Sequence, residues 1–210
     1  MGLNCGCPAA AAIATITAEA CAESLGQIQK VIFQRIFSTG TTKNEFVVAT
    51  TNPNVKASWT PLFAAVAGTK TTISPYIQGP TSEPGGARKF GGGNATLGGI
   101  EIIIGREPSK FSANLYSVRQ ITTIKNMKDL MCEKLGVFLV DENGRIGAIG
   151  DAATPTKISP IPIHGLFVGD KKLGGIEEPD SNVIEFSMMP GWSDNLVIIT
   201  PTDFNPLTDF

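Results

Sequence analysis

Apolar and polar residues alternate in short runs along most of the chain, and one stretch departs from that rhythm. Ile121, Ile124, Met127, Met131 and Leu135 recur at steps of three and four. That spacing predicts a helix over 118–135 with a single apolar stripe. Gly136 stands where a left-handed C-terminal cap belongs. Val137 to Val140 form an apolar run, Asp141-Glu142-Asn143-Gly144 a turn, and Arg145 to Ile149 the return strand of a hairpin. A shorter helix is expected near Thr60-Pro61, with Thr60 as N-cap, Pro61 in the first turn and Gly68 behind it. Trp59, Phe63 and Val66 would anchor that helix.

The remaining pattern is strand-like. Residues 29–37 are dense in β-branched and aromatic side chains. Residues 46–50, 71–77 and 161–168 read as further strands, with 169–172 as a turn. Residues 97–104 form the most hydrophobic strand. Phe111, Ala113 and Leu115 alternate, which predicts one buried face. In 182–189, Ile184, Phe186 and Met188 share a face, and 195–200 returns as the second arm of a hairpin. Residues 78–96 hold the longest loop, and so long a loop in a compact domain is functional or disordered. The expectation is a mainly β fold, a β-sandwich or rolled barrel, with one flanking α-helix around residues 118–135. The organisation expected is an N-terminal arm over 1–28, one β-rich domain over 29–200, and an extended tail over 201–210.

Composition sharpens this picture. Of 210 residues, 23 are Gly and 14 Pro, spread along the chain, which favours many turns between short strands. The charged fraction, 17%, is below the usual quarter, and the net charge is −2. A nucleic-acid binder would show a basic excess. Low surface charge suits a protein that buries surface against copies of itself. No apolar run reaches the roughly 18 residues of a membrane-spanning helix. Residues 1–18 carry no charged side chain. No Lys or Arg follows Met1, however, and Glu19 interrupts the possible cleavage site at Ala20-Cys21, so this segment reads as an arm against a neighbouring subunit.

Candidate chemistry is sparse. Cys5, Cys7, Cys21 and Cys132 match no zinc spacing and read as free thiols, with Cys132 in the core. His164 is the only histidine, and no Gly-x-Ser-x-Gly motif accompanies it. Arg88-Lys89 among glycines lacks the Lys-Ser/Thr ending of a phosphate loop. Glu177, Glu178 and Asp180 read as a solvated acidic turn, with calcium as the alternative. No catalytic, cofactor or metal residue is expected.

Two stretches carry a resemblance. They are Leu130-Met131-Cys132-Glu133-Lys134-Leu135-Gly136-Val137-Phe138-Leu139-Val140-Asp141-Glu142-Asn143-Gly144, and Pro190-Gly191-Trp192-Ser193-Asp194 with Thr200-Pro201-Thr202-Asp203-Phe204-Asn205-Pro206-Leu207. Covering under half the chain, they resemble virion structural proteins of tailed bacteriophages, of the tail-tube or ring-forming class, phages of gut Bacteroidetes included. The resemblance implies subunits that join into rings, commonly hexameric, which stack or meet other tail or connector proteins. DNA would pass through without specific binding, and no membrane or cofactor is implied. It places the protein in the virion after synthesis in the host cytoplasm. A long hairpin or loop would reach the next ring, with 79–94 as the candidate. Arg88, Lys89 and Phe90 in that loop, and Phe204 and Phe210 in the tail, are the expected inter-subunit contacts. The alternatives are a secreted or surface β-sandwich binding module, and an enzyme built on His164.

Overall fold

A computed structural model describes residues 24–95, 97–116, 121–152 and 154–210. The expected N-terminal arm up to residue 23, with Cys5, Cys7 and Cys21, lies outside the described residues, as do residues 117–120 before the main helix. The described chain is mainly β. In order come β1 (Ile28–Arg35), β2 (Phe37–Thr39), β3 (Thr42–Lys43), β4 (Phe46–Val47), helix α1 (Lys56–Ala64), β5 (Thr71–Ile73), β6 (Gln78–Glu83), β7 (Ala87–Gly91), β8 (Glu101–Arg106) and β9 (Ser109–Tyr116). Helix α2 (Ile121–Asp129) follows, then β10 (Leu135–Asp141), β11 (Ile146–Gly150), β12 (Lys157–Ser159), β13 (Ile161–Lys172), β14 (Ser181–Met188) and β15 (Leu196–Ile199).

The centre is the antiparallel pair β1–β10, in register from Ile28↔Asp141 to Arg35↔Leu135. Both faces of this pair are covered. Val31, Phe33, Leu135, Val137 and Leu139 enter one core with β9, β13, β14 and α2. Ile32, Phe138 and Val140 enter a second core with Trp59, Phe46, Ile146 and Ile199. Burial on two faces explains why 135–140 is a continuous apolar run rather than an alternating one. From β10 the sheet continues antiparallel through β13, β14, β9 and β6. The Ile77 amide just before β6 donates to the Gln29 carbonyl of β1 at 2.8 Å, so the sheet curls back on its first strand.

Several expectations need correction. The helix ends at Asp129, followed by one tight turn over Leu130–Cys132, so Leu135 and Gly136 belong to β10. Gly136 is not a cap. It is required because a Cβ there would stand 2.8 Å from the Pro160 side chain. Ile124, Met127 and Met131 do pack on the first core, whereas Cys132 is exposed. Helix α1 starts at Lys56, four residues before the expected cap, and Pro61 lies inside it. Its start is held by the tail, because Asp203 Oδ1 accepts the Lys56 amide at 2.7 Å. Trp59 is buried as expected, but Val66 lies beyond the helix end and is 99% exposed. The second strand shrinks to Phe46–Val47, and 169–172 continues β13 through an irregular step instead of turning.

Both strands expected at 182–200 form, and Ile184, Phe186 and Met188 are all buried, but they do not pair with each other. β14 has β13 and β9 as partners, and β15 pairs with β11. The turn between them is pinned elsewhere: Trp192 Nε1 donates to Ser109 Oγ at 3.1 Å, and Arg106 pairs with Asp194 at 3.0 Å. The tail is a clasp on its own chain, with Phe210 stacked on Phe63 at 4.3 Å between ring centres.

Candidate interaction surface

The expected loop over 78–96 is largely strand. Residues β6 and β9 pair within the main sheet from Gln78↔Asn114 to Glu83↔Lys110. Beyond that the chain continues as a second ribbon, β7–β8, paired from Ala87↔Arg106 to Gly91↔Glu101. The four strands form one hairpin whose outer half leaves the body as an arm.

The arm's base is fixed. A Cβ on Gly85 would come within 1.9 Å of the Glu107 carbonyl oxygen, so only glycine permits this crossing of the two chains. The Glu107 amide donates to the Gly86 carbonyl at 2.8 Å. Arg106 and Ser109, at the inner end of the arm, are the two residues held by the β14–β15 turn. The arm therefore leaves the sheet in a set direction.

Its surface is unusual for an exposed element. Phe90 faces Ile102 across the ribbon, and directly opposed residues share a face. Both are more than half exposed, as are Ile100 and Ile104, and Ile103 is 50% exposed. On the other face Lys89 lies opposite Ile103 and pairs with Glu101 at 2.8 Å, which raises the Lys89 ammonium above the usual lysine value. Arg88 has no ion pair among the described residues. A two-stranded ribbon is marginal alone in water, and its outer edges leave backbone groups unpaired. Burial of these side chains by another surface would supply the stabilisation the arm lacks, at roughly 25 cal/mol per Å² of apolar area.

A second exposed apolar group lies at the β13–β14 turn, where Leu173 is 76% exposed and Ile176 wholly so. Beside them Glu178 pairs with Lys172 at 3.2 Å, and Asp180 accepts the Gly174 amide at 3.2 Å. These lysine and amide partners fit the solvated-turn reading, and no metal-holding group of His, Cys, Asp or Glu occurs among the described residues.

The expected contact residues thus separate. Arg88, Lys89 and Phe90 stand together on the arm, with Ile102 and Ile103. Phe204 and Phe210 lie far along the chain, against α1 and the second core, 5.3 Å apart. Ile100 and Ile102 to Ile104 were legible as the most hydrophobic strand, with nothing in that run itself to say whether it lines a core or stands in solvent. The signal that separates them is their partner: Ala87-Arg88-Lys89-Phe90-Gly91 has too few apolar side chains to line a core.

A groove of about 660 Å³ lies between β1, β5 and α2, lined in part by Phe33, Lys70, Met127 and Leu130. Arg35 and Glu133 on its rim are bonded to each other. His164 does not line it; it is exposed on β13 opposite Ser187. No helix among the described residues is long and apolar enough to cross a membrane. No protein-family model matches the sequence, and no curated protein matches it.

Proposed function

We propose that this chain is a self-assembling structural subunit of a bacteriophage virion, of the tail-tube or ring-forming kind. One observation carries the reading: a fixed hairpin arm presents Phe90, Ile100, Ile102, Ile103 and Ile104 to solvent. Large contiguous apolar patches on a protein surface mark sites of association. The resemblance of residues 130–144 and 190–207 to tail-tube proteins supplies the virion context. The rolled-barrel form of that class is supported by the Ile77–Gln29 hydrogen bond that curls the sheet onto β1. In this reading the partners are copies of the same chain in rings of six or more, together with other tail or connector proteins. The arm reaches a neighbouring copy. A net charge of −2 gives a conduit wall little grip on DNA, because such affinity comes mainly from neutralising phosphates.

The test is the native mass of the purified protein and of a variant with Phe90→Ser and Ile102→Ser. Wild type is expected as rings or stacks, and the variant as smaller species. Because both side chains are already exposed, the variant's unfolding free energy should stay within about 0.5–1 kcal/mol of wild type. A wild-type chain that stays monomeric at every concentration ends this reading.

A further inference from the structure

The arm has a counterpart at the other end of the same sheet. The sequence Leu-Gly-Gly-Ile-Glu occurs twice, at 97–101 and at 173–177. The first copy closes the tip of the arm and enters β8; the second lies in the β13–β14 turn. Both hairpins are also narrowed in the same way. A Cβ on Gly85 would lie 1.9 Å from the Glu107 carbonyl oxygen, and one on Gly174 would lie 2.0 Å from that of Glu178, with proline next in each case.

The two features are rooted at opposite ends of the β9–β14 pair. β14 pairs with β9 from Ser181↔Tyr116 to Met188↔Ser109. The arm departs at the Ser109 end, and the β13–β14 turn lies at the Ser181 end. At about 3.3 Å per residue the two ends are roughly 25 Å apart.

Their net charges are opposite. Residues 84–106, the whole arm, contain Arg88, Lys89 and Arg106 against one carboxylate, Glu101, whereas residues 173–180 contain Glu177, Glu178 and Asp180 and no cation. Ion pairs neutralise part of this: Lys89 pairs with Glu101 within the arm, Arg106 with Asp194, Glu178 with Lys172, and Asp180 with Lys171 at 3.9 Å. Arg88 and Glu177 are left without an ion pair among the described residues. Each lies beside exposed apolar side chains, Phe90 and Ile102 on the arm, Leu173 and Ile176 on the turn.

We propose that the arm of one copy docks on the acidic β13–β14 turn of the next, with Arg88 facing Glu177 and the exposed apolar residues between them. This contact joins two different surfaces, so it is heterologous, and repeated from copy to copy it closes a ring or extends a stack according to the rotation between copies. The inference rests on the self-assembly reading and names the surfaces it uses.

The test is a charge exchange, with assembly followed by light scattering and folding by circular dichroism. Arg88→Glu alone and Glu177→Arg alone should each raise the concentration for half-assembly about tenfold or more, since like charges brought face to face oppose docking. The two substitutions in one chain should return it to within about threefold of wild type. Single variants that assemble as wild type does, or a combination that fails to rescue, overturn this pairing and leave self-assembly standing. A wild-type chain that never assembles overturns both.

Discussion

Replacing Asp141 with alanine should destabilise the fold by roughly 3–5 kcal/mol, the usual consequence of breaking a buried ion pair. Its carboxylate is fully buried at the turn after β10. Oδ1 accepts the amides of Asn143 and Arg145 at 2.9 and 2.8 Å. Oδ2 accepts the Gly26 amide at 3.0 Å and Arg145 Nε at 2.8 Å, and Arg145 Nη2 approaches to 2.7 Å. One side chain thus ties the segment before β1 to the β10–β11 turn. Alanine leaves the guanidinium and three amides without this acceptor. Urea unfolding at neutral pH measures the loss, and a change below about 1 kcal/mol would mean that water substitutes for the carboxylate.

The same residue predicts a pH dependence. Burial alone pushes the Asp141 carboxyl up, but hydrogen bonds from Gly26 and Arg145, with the guanidinium charge, outweigh it and hold the group below the usual carboxylate value. A carboxyl depressed in the folded state contributes its full stability above the unfolded value of about 3.9 and loses it as pH falls through the folded value. The stability gap between wild type and Asp141→Asn should therefore be largest at neutral pH. It should narrow as the solution is taken below about pH 4. A gap that stays constant or widens on acidification would exclude this account.

Trp59→Ala should have an effect of similar size, roughly 3–5 kcal/mol. Trp59 is the one buried residue of α1 and is wholly enclosed. Its ring centre lies 4.7 Å from that of Phe46 and 5.1 Å from that of Phe138, and its Nε1–H donates to the Pro53 carbonyl at 2.8 Å. Truncation empties the middle of the second core and removes the attachment of a helix that has no side-chain N-cap of its own. At about 2–4 °C per kcal/mol for a domain of this size, thermal unfolding should shift down by roughly 6–20 °C. Trp59→Phe, which keeps most of the volume, should recover much of that. Equal losses for both variants would assign the effect to the Pro53 hydrogen bond instead.

Parts of this architecture were legible in the sequence because local pattern and final environment agree there. Ile184, Phe186 and Met188 alternate and are buried. Phe111, Ala113 and Leu115 do the same. Asn143-Gly144 makes the turn it signals, with Gly144 at φ 77°. Other parts depend on distant partners. The donor at the start of α1 is satisfied by Asp203, 147 residues away, so the Thr60-Pro61 signal lost to tertiary contacts. Gly136 looks like a helix cap until Pro160 is seen against it. The apolar run of β8 has the composition of a core strand, and only its pairing with β7 leaves it in solvent. The candidate surface was half legible: Arg88, Lys89 and Phe90 stood out among glycines, whereas their isoleucine partners were read only as the most hydrophobic strand and not joined to them. The β13–β14 turn was read for its charge alone.

The pairing of β1 with β10 also bears on how the chain is made. β1 has β5 along part of one edge, but its other edge waits for residues 135–141, about a hundred residues later. At roughly 5–20 residues per second, that interval lasts about 5–20 s on the ribosome. Throughout it, Val31-Ile32-Phe33 is an apolar strand with an open edge, the kind that adheres to the same segment of a neighbouring nascent chain. Chains crowded on one message would be most exposed to this hazard, and slower synthesis would lengthen it. A chain interrupted before residue 135 has no native strand to cover that edge at all.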